Sequence, residues 1–171
     1  MARSTAFTVD LTIRIVAAPT RVLSAFFDAR ALSAWWNTIG SVTAPRPMGV
    51  YAVEWDSTPF QDAVLGTLGG VLYGTVMEFQ HGREFFLADV YWLPPEGDPI
   101  GPMALEVTCG VDGPATQLRV RQHALGDGQR WQHYGVLMQT GWESSLESLK
   151  RYMEDGAMPR LPPRGVPPPR R

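Results

Sequence analysis

Residues 128–155 read GQRWQHYGVLMQTGWESSLESLKRYMED, without a proline. Trp131, Tyr134, Met138, Trp142, Ser145, Leu149 and Met153 recur at steps of three or four, with Leu146 beside them. That spacing lays them along one stripe of an amphipathic helix of about seven turns. Asp127 is a candidate cap, Glu147 and Arg151 form an i, i+4 pair on the outer side, and Gly156 stands where such a helix stops. A long one-sided helix needs a broad apolar surface to lie on, and the rest of the chain supplies it as strands.

Working back from the helix, TQLRVRQHA (116–124) alternates, with Leu118, Val120 and Gln122 on one face. Asp112-Gly113 is a tight-turn dipeptide joining this strand to MALEVTCGV (103–111) as a hairpin. EFFLADVYW (84–92), VLYGTVMEF (71–79) and GVYAVEW (49–55) read as three further strands. Their breaks fall at His81-Gly82 and at the loop from Pro94 to Pro102. DSTPFQDAVLGTLGG (56–70) is a turn-rich connection, and residues 40–48 read as a loop. At the front, FTVDLTIRIV (7–16) alternates strictly, with Phe7, Val9, Leu11, Ile13 and Ile15 on one side. Pro19 suits the first turn of a helix carrying Val22, Leu23, Phe26 and Phe27. Asp28 ends that helix and caps a second one, with Leu32, Trp35 and Trp36. The order is a strand, two short helices, five strands joined mostly as a meander, and one long helix. That is an α+β arrangement (β-α-α-β5-α) in which a curved antiparallel sheet wraps the C-terminal helix.

The 171 residues correspond to one domain. The 13 residues 159–171, PRLPPRGVPPPRR, hold six of the 15 prolines and four arginines. Without them 11 basic residues face 17 acidic ones, a net of −6. The division is therefore a folded body over 1–156 and a Pro/Arg-rich tail over 157–171 with polyproline II character. An acidic body argues against nucleic-acid binding by counterion release. The short apolar runs argue against a membrane span. The N-terminus lacks the apolar segment and cleavage site of a secretion signal, so the cytoplasm is expected. Cys109 is the only cysteine, which excludes an internal disulfide, and it falls in a strand as a small hydrophobe.

Three segments resemble the START-like, or SRPBCC, superfamily with its helix-grip fold, and within it the branch related to the activator of the heat-shock-protein ATPase. APTRVLSAFFDARALSAWW (18–36) is similar to the family's Ala-Pro, helix, Asp and Trp-Trp opening. GVLYGTVMEF (70–79) is similar to its Gly-x-Val-x-Glu strand, and residues 116–154 to its last strand and closing helix with Gly-Trp and Leu-x-x-Leu. One departure is the turn Gln80-His81-Gly82-Arg83, where the family often has Pro-Pro-Arg. The resemblance implies a cavity between sheet and helix that takes lipids or aromatic molecules.

Candidate wall residues are Trp35, Trp36, Trp55, Tyr73, Asp89, Tyr91, Gln122, Tyr134, Met138 and Trp142. Aromatic walls with a polar edge suit flat apolar ligands. Adjacent Trp35 and Trp36 cannot point the same way on a helix, so one belongs to the core and the other to the rim. Tyr134 is expected near the entrance. Gln122 is either a lone polar group that orients a ligand or a satisfied half-buried amide. Asp89, on an otherwise apolar strand, is the best candidate for a carboxylate in an apolar cavity. His81, His123 and His133 are not at metal-ligand spacing, and no cofactor motif is present. The leading expectation is a protein that binds a small apolar ligand, possible as a homodimer. The alternatives are a chaperone-activator-like interaction module, or a hydrolase or cyclase using the same cavity.

Overall fold

A computed structural model of the chain describes residues 6–156. The Pro/Arg-rich tail expected over 157–171 lies outside the described residues. Twelve elements follow in order. Strand β1 (Ala6–Ile15) leads to helices α1 (Pro19–Ser24) and α2 (Ala29–Trp36). Strands β2 (Gly40–Thr43), β3 (Val50–Trp55), β4 (Gln61–Asp62), β5 (Gly66–Thr67), β6 (Gly70–Gln80), β7 (Glu84–Leu93), β8 (Ile100–Asp112) and β9 (Ala115–Leu125) come next, and α3 (Gln129–Asp155) closes the chain. The main sheet has seven antiparallel strands in the order β1-β9-β8-β7-β6-β3-β2. The first strand thus pairs with the last, while the two short helices carry the chain from one sheet edge to the other. Helix α3 packs against β1 and α2. No helix among the described residues is long and apolar enough to cross a membrane.

Alternation decides which way the strands face. In β1, Val9 and Ile15 are fully buried, whereas Asp10, Thr12 and Arg14 point outward. The outward charges pair across strands, Asp10 with Arg119 at 2.7 Å and Arg14 with Asp112 at 2.9 Å. Both pairs are half-exposed and contribute little to stability. On the inner side, β9 stacks Leu118, Val120, Gln122 and Ala124, all buried.

The two short helices meet in a turn that leaves the carbonyls at the end of α1 without helical partners. Side chains take three in a row. Trp35 Nε1 donates to Ala25 O at 2.9 Å, Tyr51 Oη to Phe26 O at 2.8 Å, and Thr43 Oγ1 to Phe27 O at 2.7 Å. Asp28 Oδ1 accepts from Ala31 N at 2.8 Å and caps α2, as its place in the sequence suggests.

Several local expectations need correction. Residues 40–43, expected in a loop, form β2, a short edge strand with one hydrogen-bonded neighbour, β3. The connection 56–70 contains a small hairpin in which Gln61 pairs with Thr67 and Asp62 with Gly66. The β8–β9 turn is centred on Gly113-Pro114 rather than Asp112-Gly113, because Asp112 already pairs with Ala115. Gly113 has φ 57, as the first central residue of a primed hairpin turn requires. At the start of α3 the cap position is held by Gly128, with no side-chain cap bond, so Asp127 is one residue too early. The i, i+4 ion pair on α3 is Lys150–Glu154 at 2.7 Å, rather than Glu147 with Arg151.

One irregularity redirects half a strand. Between Leu87 and Val90 the register of β7 shifts against both neighbours. Phe85 and Leu87 face inward before the shift, Val90 and Trp92 after it. The extra residue is a β-bulge, and Asp89 sits in it at φ 50, a backbone region that Asp tolerates better than most side chains. Opposite the bulge, a Cβ on Gly74 would approach Val90 Cγ2 to 2.9 Å, so the absent side chain makes room for the extra residue.

Candidate functional site

A cavity of about 380 Å³ lies between the sheet and α3. Its walls come from every layer of the fold. Trp36 ends α2, Trp55 ends β3, Leu72 lies on β6, Trp92 on β7 and Gln122 on β9. Helix α3 contributes Tyr134, Leu137, Met138, Gly141, Trp142 and Ser145. The connection 56–70 roofs it with Thr58, Leu68 and Gly69, and exposed Asn37 and Thr58 mark the mouth.

Three of the four tryptophans present carbon to the cavity because the fold occupies their N–H groups. Trp55 Nε1 donates to Trp36 O at 2.8 Å, and Trp92 Nε1 to Gly69 O at 2.8 Å. Trp142 Nε1 donates to Gln122 Oε1 at 2.7 Å. Trp36 is the hub of the wall. Its ring stacks on Trp35 at 4.8 Å and meets Trp55 and Trp142 at 5.1 Å each. Such a surface favours flat apolar molecules.

Two polar groups stand inside. Gln122 is 1% exposed and flanked in register by Val9 on β1 and Leu105 on β8. Its amide is partnered: besides accepting from Trp142, Nε2 lies 3.3 Å from Met103 Sδ and 3.4 Å from Tyr134 Oη. Tyr134 is fully buried, with its ring stacked on Trp92 and edge-on to Phe7 and Trp131. Burial pushes its phenol well above the ordinary range, so it remains a neutral hydroxyl.

The roof is tied to the long helix through Asp62. Its Oδ1 accepts from Val64 N at 2.8 Å and Leu65 N at 2.9 Å, and His133 Nδ1 lies 3.0 Å away. The Leu65 and Val64 amides, followed by His133, hold the Asp62 carboxyl down at about 2.

Of the residues singled out from sequence, Trp36, Trp55, Gln122, Tyr134, Met138 and Trp142 come together around the cavity. Four do not. Trp35 turns into the core, where it meets Phe26 edge-on. Tyr73 and Tyr91 pair across β6 and β7 on the outer face and stack at 5.6 Å. Asp89 is exposed. The bulge accounts for Asp89 and Tyr91: a regular strand continuing from Phe85 and Leu87 would turn both inward. Tyr73 follows the outward parity of β6, between buried Leu72 and Gly74. Tyr134, expected near the entrance, lies at the buried end instead. Among the lining residues on the sheet, sequence reasoning missed Trp92 and Leu72. For Trp92 the available signal was parity, counted with one residue inserted after Leu87.

The described residues lining the cavity include no carboxylate, imidazole or thiol. Among the described residues no group of three or more metal-ligating side chains comes together. Cys109 is half-buried, and burial pushes its thiol up to about 12, which keeps it un-ionised.

A curved antiparallel sheet gripping a C-terminal helix, with an aromatic cavity between them, defines a START-like helix-grip protein. More narrowly, the model of the family "Activator of Hsp90 ATPase homolog 1-like protein" matches residues 16–154, and the chain belongs to that family. No curated protein matches the chain in sequence. Among solved structures it is similar to a Chromobacterium violaceum protein, with a TM-score of 0.60 and 24% identity over 86% of this chain and 96% of that one. A Mesorhizobium loti protein gives a TM-score of 0.65 at 17% identity, over 88% and 99%. The Aha1 dimer of Colwellia psychrerythraea, a solution structure, gives 0.61 at 16%, over 87% and 97%. At these identities the likeness is one of fold. Family and fold together support a ligand-binding or Aha1-like module in general.

Proposed function

We propose that the protein binds a small apolar ligand with a flat aromatic or polyene body in the cavity between its sheet and α3. The observation that carries the reading is a void of about 380 Å³ walled by Trp36, Trp55, Trp92 and Trp142, three of which have their N–H groups bonded within the fold. A plain core would close such a void, because interiors are packed to crystal-like density. A void with carbon walls also gives a flat apolar molecule contacts that water cannot match.

The test uses a position where the cavity can be filled without disturbing the walls. A Cβ on Gly141 would meet nothing within 4 Å. Gly141→Phe is expected to occupy the void and to reduce binding of bicyclic aromatic probes at least tenfold, read by tryptophan fluorescence and by calorimetry, with the urea midpoint near wild type. Unchanged affinity in this variant, or no response of the wild type to a broad apolar panel, would overturn the reading.

The family supports a second reading, an Aha1-like interaction module. It requires an outer surface rather than the cavity, so a chaperone captured equally by wild type and Gly141→Phe would favour it. A homodimer is part of the partner proposal, suggested by the dimeric Colwellia neighbour, and sedimentation velocity tests it through the mass.

A further inference from the structure

Tyr134 and Gln122 line the same end of the cavity, and the hydrogen bonds around them settle which atoms donate and which accept. An indole N–H can only donate, so the 2.7 Å contact from Trp142 Nε1 identifies the facing atom of Gln122 as its carbonyl oxygen. The NH2 end of the same amide must then face Tyr134 Oη at 3.4 Å and Met103 Sδ at 3.3 Å. Turning the amide over would set two donors against each other at Trp142. An NH2 group can only donate, so at this contact the tyrosine oxygen accepts. The proton of the Tyr134 hydroxyl is therefore directed elsewhere, and among the described residues no acceptor meets it. The ring cannot swing away to find one, held as it is on Trp92 at 5.4 Å and by the edges of Phe7 and Trp131.

We propose that the cavity selects apolar ligands carrying a hydrogen-bond acceptor, a carbonyl or similar oxygen, which takes the hydroxyl proton of Tyr134. This rests on the ligand-binding reading above and specifies its chemistry. The site is a flat aromatic slot with the Tyr134 hydroxyl as the donor at its buried end. The polar side chains that line it are all neutral, so the acceptor it suits is uncharged: a ketone, ester or quinone-type oxygen rather than a carboxylate, which would have to leave water without a counter-charge. Burial raises the phenol further above neutrality, so the donor keeps its proton at neutral pH.

The experiment compares two molecules of nearly the same shape, 2-acetylnaphthalene and 2-isopropenylnaphthalene, which differ in carrying C=O or C=CH2. Calorimetry on the wild type is expected to give roughly tenfold tighter binding of the ketone, the effect of one net hydrogen bond. Tyr134→Phe, which removes a single oxygen, is expected to bring the two affinities together by weakening the ketone alone. Equal affinities in the wild type, with both compounds bound and both displaced by Gly141→Phe, would overturn the acceptor selection and leave the cavity reading standing. If neither compound binds, both fall. A ketone preference that persists in Tyr134→Phe would assign the donor to another group and overturn the role of Tyr134. The wild-type comparison needs no variant, so misfolding of Tyr134→Phe would not remove the test.

Discussion

The molecule has two aromatic ends built from the same residue types, one solid and the other hollow. At the solid end Phe26, Phe27, Trp35, Tyr51, Phe79 and Phe85 interlock at centroid distances of 4.9 to 6.0 Å. The polar tips of Trp35 and Tyr51 go to backbone carbonyls of the α1–α2 turn. At the hollow end four tryptophans and Tyr134 surround a void, and the tyrosine oxygen accepts where that of Tyr51 donates. Both tyrosines are fully buried, and burial raises both phenols. They differ in what their protons do. One closes a helix end; the other meets no acceptor among the described residues. Aromatic content alone therefore does not distinguish the two ends, whereas the balance of donors and acceptors does.

The largest expected contrast comes from the stacked neighbours Trp35 and Trp36. Trp35→Ala empties the solid end and is expected to cost about 3–5 kcal/mol in urea denaturation. Trp36→Ala enlarges a void that is already open and, unlike Trp35→Ala, leaves no buried carbonyl such as that of Ala25 without its partner, so about 2 kcal/mol is expected. Equal losses would break the distinction between the two ends. The tyrosines sharpen it further. Tyr51→Phe leaves the buried Phe26 carbonyl without its partner and is expected to cost about 1–3 kcal/mol. Tyr134→Phe removes one long contact, leaves Gln122 Nε2 its contact with Met103, and is expected to cost under about 1 kcal/mol.

The smallest effect is local. The folded carboxyl of Asp62 titrates at about 2, below its ordinary 3.8. A depressed carboxyl contributes stability that is complete above the ordinary value and is lost as pH falls through the folded one. Exchange protection of the Val64 and Leu65 amides should therefore hold at pH 5 and fade between about pH 4 and pH 2, ahead of the amides of the solid end. Loss of both sets in a single step would show that the roof does not open independently.

Much of this was legible in the residues. The spacing from Trp131 to Met153 established the helix, and strict alternation from Phe7 to Ile15 established the first strand. Gln122 stood out as the polar side chain sharing a face with Leu118 and Val120 on β9. What escaped were features set by tertiary pairing. β2 is four residues long and has a single neighbour, so little in its own sequence distinguishes it from a loop. The bulge at Asp89 reverses the inward and outward sense of the strand beyond it, which removed Tyr91 from the cavity and brought in Trp92. A period-two reading carries no sign of an inserted residue except indirect ones, here an Asp in an apolar run and a glycine, Gly74, on the facing strand.

The contacts around Trp36 also have an optical consequence. Four indoles, Trp35, Trp36, Trp55 and Trp142, are chained through centroid separations of 4.8 to 5.1 Å. At such spacing an excitation hops between rings within its lifetime, so the four emit as one antenna with depolarised light. A quencher bound against Trp142 would darken Trp35 as well, although that ring lies in the packed core.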